Sequence, residues 1–527
     1  VDRAVARTHR GLALVALLPV AFLVVFFAWP VAAIVGLGFG DGGVTEVLTR
    51  ASTWQLAGFT VAQAAASTVL SVLAGLPIAF VLARVKLPGI ALVRTIVLVP
   101  FVLPTVVVGL AFRALWPDGG VLSIVLANAF FNVAVVARTV GGLWSHLDRR
   151  AEEAARALGA SSWQAFRSVT LPRLTPAIFS ASAVVFLFCS TSFGVVLILG
   201  GGRFRTLETE IYLRTVNLLD LSGAAALSLV QLLAVVAALV LGAIARRRRE
   251  TALRLRSAAE AARRPEGREW WVVGAAVVVL GLLLTPIAAL LSKASIAGFE
   301  GLATTGGALQ VSGWDAALRS LRTATDATVL AMCVGVLASV VLVSLRRAPG
   351  RLARGAGETM DAALMLPLGV SAVTVGFGYL VTLDDLPGDL RTSPLLVPFA
   401  QALVIIPMIV RMVLPVLRSV DERLRQAAAT LGAGPVRVWR EIDFPLAARS
   451  LVAAAGFGYV IALGEFGATS FLARPGEPTL PVAIAALISR PGELNNQMAY
   501  AACVLLMVVT AAVVTVIDRL KPSTGEF

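Results

Sequence analysis

The chain has 527 residues, 58% of them hydrophobic and 14% charged, with a net charge of +14. Soluble globular chains carry roughly 25% charged residues, so an ordinary soluble enzyme is excluded and the bilayer is the solvent to reason with. The charge does not point to nucleic acid, because the cations lie in short segments between apolar runs, as on the cytoplasmic loops of membrane proteins.

Twelve apolar runs follow in chain order: 11–38, 58–83, 90–115, 121–145, 174–200, 222–245, 270–292, 322–345, 360–383, 394–417, 446–472 and 498–517. About 20 apolar residues at 1.5 Å rise cross a hydrocarbon core of about 30 Å, so each run is long enough. The first is too long for the apolar part of a signal peptide and is expected to be a retained span. Basic residues alternate between loops. Arg3, Arg7 and Arg10, then Arg84 and Lys86, Arg149 and Arg150, Arg346 and Arg347, Arg418 and Arg423, and finally Arg519 and Lys521 fall on one side. The other side carries acids such as Asp384, Asp385 and Asp389. The positive-inside bias therefore puts both termini in the cytoplasm.

Residues 246–269 hold nine Arg and four Glu and divide the chain into a first six-span unit, 1–245, and a second, 270–527. This basic cytoplasmic linker reads as a solvated inner loop or as a lipid head-group site. The expected fold is an all-α integral membrane protein with twelve transmembrane helices in two parallel six-helix repeats. An offset of 273 residues aligns Arg138 with Arg411, Gly159 with Gly432, Pro172 with Pro445 and Phe193-Gly194 with Phe466-Gly467. Upstream, an offset of 267 aligns Pro100 with Pro367 and Gly109 with Gly376. Parallel repeats imply a pseudo-two-fold axis along the membrane normal, with a pathway between the halves.

Catalysis has little to work with. Cys189, Cys333 and Cys503 all lie inside apolar runs, and the only histidines are His9 and His146. No metal spacing, disulfide framework or His-based triad results, so neither catalytic residues nor a metal site are expected. No Lys precedes Ser or Thr, so a phosphate-binding P-loop is absent and the chain should bind no ATP itself.

Two polar, helix-favouring stretches stand out between the apolar runs. One is Glu153-Ala154-Ala155 with Gly159 and Pro172; the other is Gln426-Ala427-Ala428 with Gly432 and Pro445. In each the Gly stands 13 residues before the Pro (172 − 159 and 445 − 432). The small alanines permit close approach, and each Gly suits a left-handed helix end. A second short helix is expected near Ser161, an available N-cap, or Pro435. Trp163, Phe166 and Trp439 offer aromatic surface. The alternative to a docking element is an interfacial amphipathic connector.

This pattern, completed by Val169 and Leu171 in one copy and Ile442 and Phe444 in the other, resembles the EAA coupling motif of binding-protein-dependent ABC importer permeases. Two units in one chain, Phe188-Cys189-Ser190-Thr191-Ser192-Phe193-Gly194, Gly200-Gly201-Gly202, Thr206-Leu207-Glu208-Thr209-Glu210 and Gly464-Glu465-Phe466-Gly467 are similar to the fused permeases of ferric-iron and thiamine importers. The resemblance implies a type I importer permease in a bacterial-type cytoplasmic membrane. It implies two ABC-type ATPase subunits docked on the cytoplasmic side, with ATP and Mg held there, and an extracytoplasmic solute-binding protein as further partner. Gln426 departs from the motif by losing the charge, for which Arg437 or Glu441 could compensate.

Glu465 lies within an apolar run, where facing lipid would cost roughly 2.5 kcal/mol or more. It is either a gate on the translocation path, with Ser192 as its repeat partner and Gly464 and Gly467 beside it, or a buried carboxylate satisfied by Thr469 or Ser470. An ion-coupled secondary transporter with twelve spans, or a membrane-embedded enzyme, are the rival functions.

Overall fold

The computed structural model describes residues 15–40, 43–247, 263–304, 309–347, 350–382, 393–474 and 476–520. Arg3, Arg7, Arg10, the outer acids Asp384, Asp385 and Asp389, Lys521 and most of the linker lie outside them. The described chain is helical apart from one isolated bridge between Val85 and Arg263.

Ten of the described helices are long and apolar enough to span a membrane, and two bent pairs raise the number to twelve if each pair counts once. The bent pairs modify the reading of 90–115 and 360–383 as uninterrupted runs. Helix α3 (Ile90–Val102) meets α4 (Thr105–Leu115) at 100°. Leu103 precedes Pro104, a position pushed out of the helical region, and it is extended with ψ 136°. In the second pair α12 (Arg351–Met365) continues through a tight turn to Gly369 and meets α13 (Ala372–Thr382) at 99°. There Val370 is extended, and Ser371 Oγ accepts the Thr374 N–H at 3.2 Å to start α13.

The chain forms two compact units that exchange segments along the sequence. The first described comprises Val44–Leu213 and Leu227–Ile296. At its centre α2 (Ala51–Arg84) packs along α5 (Val121–Ser145), and α10 (Glu269–Lys293) lies against α2, α3 and α4. A Cβ on Gly75 would stand 2.7 Å from Val136 Cβ, so glycine sets the close approach of α2 and α5. Helix α6 (Arg150–Ala157) follows α5, and α7 (Leu171–Ser190) carries the chain back. The short helix α8 (Leu207–Tyr212) starts where Thr60 Oγ1 accepts the Leu207 N–H at 3.1 Å.

The other unit comprises Val1–Gly43, Arg214–Ala226 and Ala297–Phe527. Here α1 (Val15–Phe39) packs on α13 and α14 (Leu396–Ser419), with Phe26 4.5 Å from Phe399 and 6.0 Å from Tyr379 between ring centres. Helix α9 (Leu221–Arg247) begins in this unit and continues in the other. Helix α11 (Gly313–Arg347) pairs with α14, and Gly335 faces Ile409 as Gly75 faces Val136. The offsets are 260 (335 − 75) and 273 (409 − 136). Helix α15 (Glu422–Thr430) precedes α16 (Phe444–Gly464), α17 (Thr469–Leu472), α18 (Leu480–Ser489) and α19 (Glu493–Leu520). Ser320 Oγ accepts the Leu480 N–H at 2.7 Å, repeating the Thr60 contact at the same offsets. The span that opens each sequence half thus packs with the body of the other half.

Candidate functional site

Asp148 Oδ1 accepts the Arg150 N–H at 3.0 Å at the start of α6. Glu152 and Glu153 occupy its first turn, where the helix dipole favours carboxylates. Glu153 and Ala154 are exposed and Ala155 is half-buried. The helix ends in a Schellman arrangement. The Gly159 N–H donates to Arg156 O at 3.0 Å, and the Ala160 N–H to Ala155 O at 3.1 Å. Gly159 has φ +90°, which a side chain would strain. Ser161 then forms a capping box with Gln164. The expected second short helix is no separate element: Ser162–Ala165 runs through a wide π-turn, Phe166–Thr170, directly into α7. In that turn the Leu171 N–H reaches Phe166 O, so the helix accommodates Pro172 without breaking.

The second copy repeats this backbone. Asp421 Oδ1 accepts the Arg423 N–H at 2.9 Å, and Gly432 has φ +82°. The Gly432 N–H donates to Ala429 O and the Ala433 N–H to Ala428 O, both at 3.0 Å. A π-turn, Trp439–Asp443, leads into α16 with Pro445 in its first turn. Gln426 and Ala427 are exposed, as Glu153 and Ala154 are. Arg437 and Glu441 pair with each other at 2.9 Å rather than serving Gln426. Beside them opens a recess lined by Gly434, Val436, Arg437, Arg440 and Glu441.

Each copy raises an apolar knob that residue patterns alone did not single out. Leu158 is 90% exposed and Leu431 87%, each just ahead of its left-handed glycine. Trp163 and Val436, also repeat partners (436 − 163 = 273), are exposed as well. The signal in the sequence is a leucine inside a polar stretch, twice, at one repeat position. Trp439 was expected at the surface but is half-buried. It takes the place of Phe166, which packs against Trp144 and Trp163.

The two elements are braced differently against the following span. In the first, Thr170 Oγ1 donates to Glu152 Oε2 at 3.2 Å. In the second, Arg425 and Asp443 occupy the same repeat positions (425 − 152 and 443 − 170 are both 273), and Arg425 Nε donates to Asp443 Oδ1 at 2.7 Å. Arg425 is 8% exposed and also donates to Leu417 O at 3.1 Å, which fixes α15 to the end of α14. Near the first element, Arg149 is held below the usual arginine pKa by burial and by Arg263, with Glu269 opposing.

The membrane residues lie where α7 and α16 end. Glu465 is 8% exposed. Its carboxylate accepts the N–H of Ala468 at 2.8 Å, the N–H of Thr469 at 3.1 Å and the Thr469 hydroxyl, capping α17. Ser470 Oγ instead donates to Gly467 O. Gly464 closes α16, and a Cβ on Gly467 would stand 2.9 Å from Ala372 Cβ. In the other unit Ser192 Oγ donates to Asn128 Oδ1 at 2.7 Å, and Asn128 Nδ2 to Gln63 Oε1 at 3.0 Å. Gln63 Nε2 donates to Cys189 O at 2.7 Å, a carbonyl at the end of α7 that also accepts the Ser192 N–H at 3.4 Å. Sequence reasoning missed Gln63 and Asn128. It also gave no role to Glu208, which is fully buried and accepts from Gln231 Nε2 at 3.1 Å. Among the described residues no cluster of His, Cys, Asp and Glu could hold a metal ion.

Residues 75–250 and 331–523 match the family described as "binding-protein-dependent transport system inner membrane component". The chain belongs to that family. One matched region contains α6 and the other α15, so the family unit occurs twice. The chain is 28% identical over 496 residues to the thiamine transport system permease protein ThiP of Brucella abortus (strain 2308), covering 90% of this chain and 89% of that protein. It is 27% identical over 490 residues to ThiP of Escherichia coli (strain K12), covering 89% of each. The molybdenum transport system permease protein ModB of Mycobacterium bovis is 35% identical over 242 residues, which is 42% of this chain and 90% of ModB. The chain is thus a multi-pass inner-membrane permease of a binding-protein-dependent ABC transporter, similar to thiamine permeases. It is the membrane component of a system that also requires an ATPase and a binding protein. Membership sets aside the secondary-transporter and membrane-enzyme readings.

Proposed function

We propose that α6 and α15 are coupling helices, each seated in one of two ATPase subunits on the cytoplasmic side, and that the chain imports thiamine or a closely similar cation. The observation that carries the docking reading is the matched pair of exposed knobs, Leu158 and Leu431, each on a helix closed by a left-handed glycine. Exposed leucines on a rigid polar helix suit insertion into an apolar groove. Glu153, Ala154, Ala155 and their counterparts Gln426, Ala427 and Ala428 form the contact face. Gly159, Gly432, Pro172 and Pro445 set its geometry.

In the cycle, ATP with Mg closes the two partner subunits, which carries α6 and α15 with them. The permease repeats, 1–245 and 270–527 joined by the linker 246–269, then expose the pathway outward to the solute-binding protein, and hydrolysis resets them. This is a coupling free energy between nucleotide and solute sites, carried by two helices. Both termini are cytoplasmic, following the basic loops. The thiamine assignment draws on the relatives that match nearly the whole chain. Glu465, with Ser192 as its counterpart, borders the pathway, and its capping of α17 keeps the break after α16 rigid.

The test is co-purification of the ATPase in two copies per chain, together with uptake of radiolabelled thiamine in cells. Leu158→Glu with Leu431→Glu should abolish ATPase retention while the permease stays in the membrane. Retention unchanged in that variant would refute docking through these helices. Glu465→Gln should lower uptake with ATPase retained, and unchanged uptake would remove its pathway role.

A further inference from the structure

Arg84, the last residue of α2, is 4% exposed, and its Nε and Nη1 reach no hydrogen-bond acceptor among the described residues. A guanidinium stays protonated and offers five donors, so burying it with donors unmet is costly. Its backbone is clamped from behind. The Arg263 N–H donates to Arg84 O at 3.1 Å, and the Lys86 N–H to Arg263 O at 2.8 Å, so the end of the linker is bridged to the end of α2. Arg263 is held in turn by Glu266 at 3.1 Å and Glu269 at 3.0 Å. The charged groups near enough to act on Arg84 are Arg149, Glu152, Asp148 and Glu153. The three carboxylates among them stand at the start of α6. Asp148 caps Arg150, Glu152 accepts from Thr170, and Glu153 faces outward.

We propose that Arg84 is the receiving end of a latch on the first coupling helix. Glu152 is bonded to the Thr170 hydroxyl in this conformation and passes to the Arg84 guanidinium when α6 is displaced. The proposal rests on the docking reading above, since the docked ATPase supplies the displacement. The hydroxyl gives the carboxylate one donor, whereas a guanidinium offers a full positive charge and a two-pronged fork that suits a carboxylate, so the transfer stabilises the displaced state, in which Arg84 is at last satisfied. The bridge to Arg263 keeps Arg84 in place while α6 moves. Among the described residues the second sequence half, 270–527, has no such receiver. At the repeat offset of 260, Ser344 stands where Arg84 does, and Arg425, buried beside α15, is already paired. The latch therefore belongs to one coupling helix only.

The test uses the full chain with its ATPase in liposomes, reading the ATP concentration for half-maximal hydrolysis. Arg84→Gln and Glu152→Gln should each raise it at least ~5-fold, the scale of a modest coupling energy. The double variant should be no worse than the worse single one, Arg84→Lys should restore most of the loss, and Thr170→Val should not raise it. Additive losses would overturn the latch. Independently, Arg84→Cys with Glu152→Cys, with Cys333 changed to Ser, should give a short thiol cross-link whose yield rises with ATP and vanadate. A yield independent of nucleotide, with the ATPase still bound, refutes the latch alone. Failure of the unmodified chain to retain its ATPase refutes docking and the latch together.

Discussion

Where one of the two repeated polar elements joins Arg425 to Asp443, the other joins Glu152 to Thr170. The backbones are alike to the last turn, with the same Schellman close, the same π-turn and the same exposed leucine. The braces are an ion pair in one and a hydroxyl–carboxylate bond in the other. The same substitution of chemistry on a shared frame recurs elsewhere. Phe59 and Phe204 stack with centroids 6.0 Å apart in one unit. At the same offsets Arg319 and Glu477 form an ion pair of 2.6 Å in the other (319 − 59 = 260; 477 − 204 = 273). The repeat conserves places where elements must be tied and leaves the kind of tie free. A buried ion pair is rigid but intolerant, because losing one partner strands a charge. A hydroxyl bond is weaker and more readily exchanged, which suits the element proposed to move.

This contrast can be broken most forcefully at Arg425. Arg425→Ala leaves Asp443 buried and unpaired, and should destabilise α15 by roughly 3–5 kcal/mol. Proteolysis of membrane vesicles should then cut within residues 420–445 while 148–172 stay protected. Equal cutting at both would show the brace to be unimportant. Next in size, Gly159→Val and Gly432→Val force a branched residue into a left-handed turn, at a cost of roughly 1–2 kcal/mol each. Because the two turns are alike, the losses in solute uptake should be equal, and a large inequality would mean that one of the proposed docking sites dominates. Smaller again, Thr170→Val removes a single neutral donor, about 1 kcal/mol, and should accelerate cleavage within 148–172 only slightly.

The smallest effect distinguishes the units by pH. The hydrogen bond from Arg319 holds the Glu477 carboxyl below its usual pKa, with the charges of Arg319, Arg474 and Arg322 helping. A depressed acid contributes stability that is present above its unfolded pKa and is lost as pH falls through the folded one. Both partners are well exposed, so the contribution is small. Acidification should loosen this pair but not the Phe59–Phe204 stack. Glu477→Gln should abolish that slight acid sensitivity, read as thermal unfolding of the detergent-purified chain at two pH values. Persistence of the sensitivity in the variant would assign it elsewhere.

Much of this is legible in the sequence. Twelve runs, the 273-residue offset and the left-handed glycines all follow from local rules: bilayer thickness, self-similarity and the need for φ above zero at a helix end. The break at Leu103 also had its signal, since Pro104 follows it, but the apolar run concealed a corner that only the missing N–H betrays. Leu158 and Leu431 are not legible as surface residues, because hydrophobicity alone argues for burial and exposure depends on what surrounds the helix. The Arg425–Asp443 brace joins residues 18 apart across a turn whose closure is not local. The exchange of opening spans was the least legible. Phe22, Phe26 and Pro30 carry nothing that names Tyr379, Phe399 or Gly378 as their neighbours.

That exchange bears on how the protein is made. Phe26 leaves the ribosome 353 residues ahead of Tyr379, its eventual neighbour (379 − 26). At about 5–20 residues per second the opening span spends roughly 20–70 s in lipid before its partner helix exists. Biogenesis must therefore tolerate an orphan helix for most of translation, and the amino-terminal half cannot mature on its own schedule.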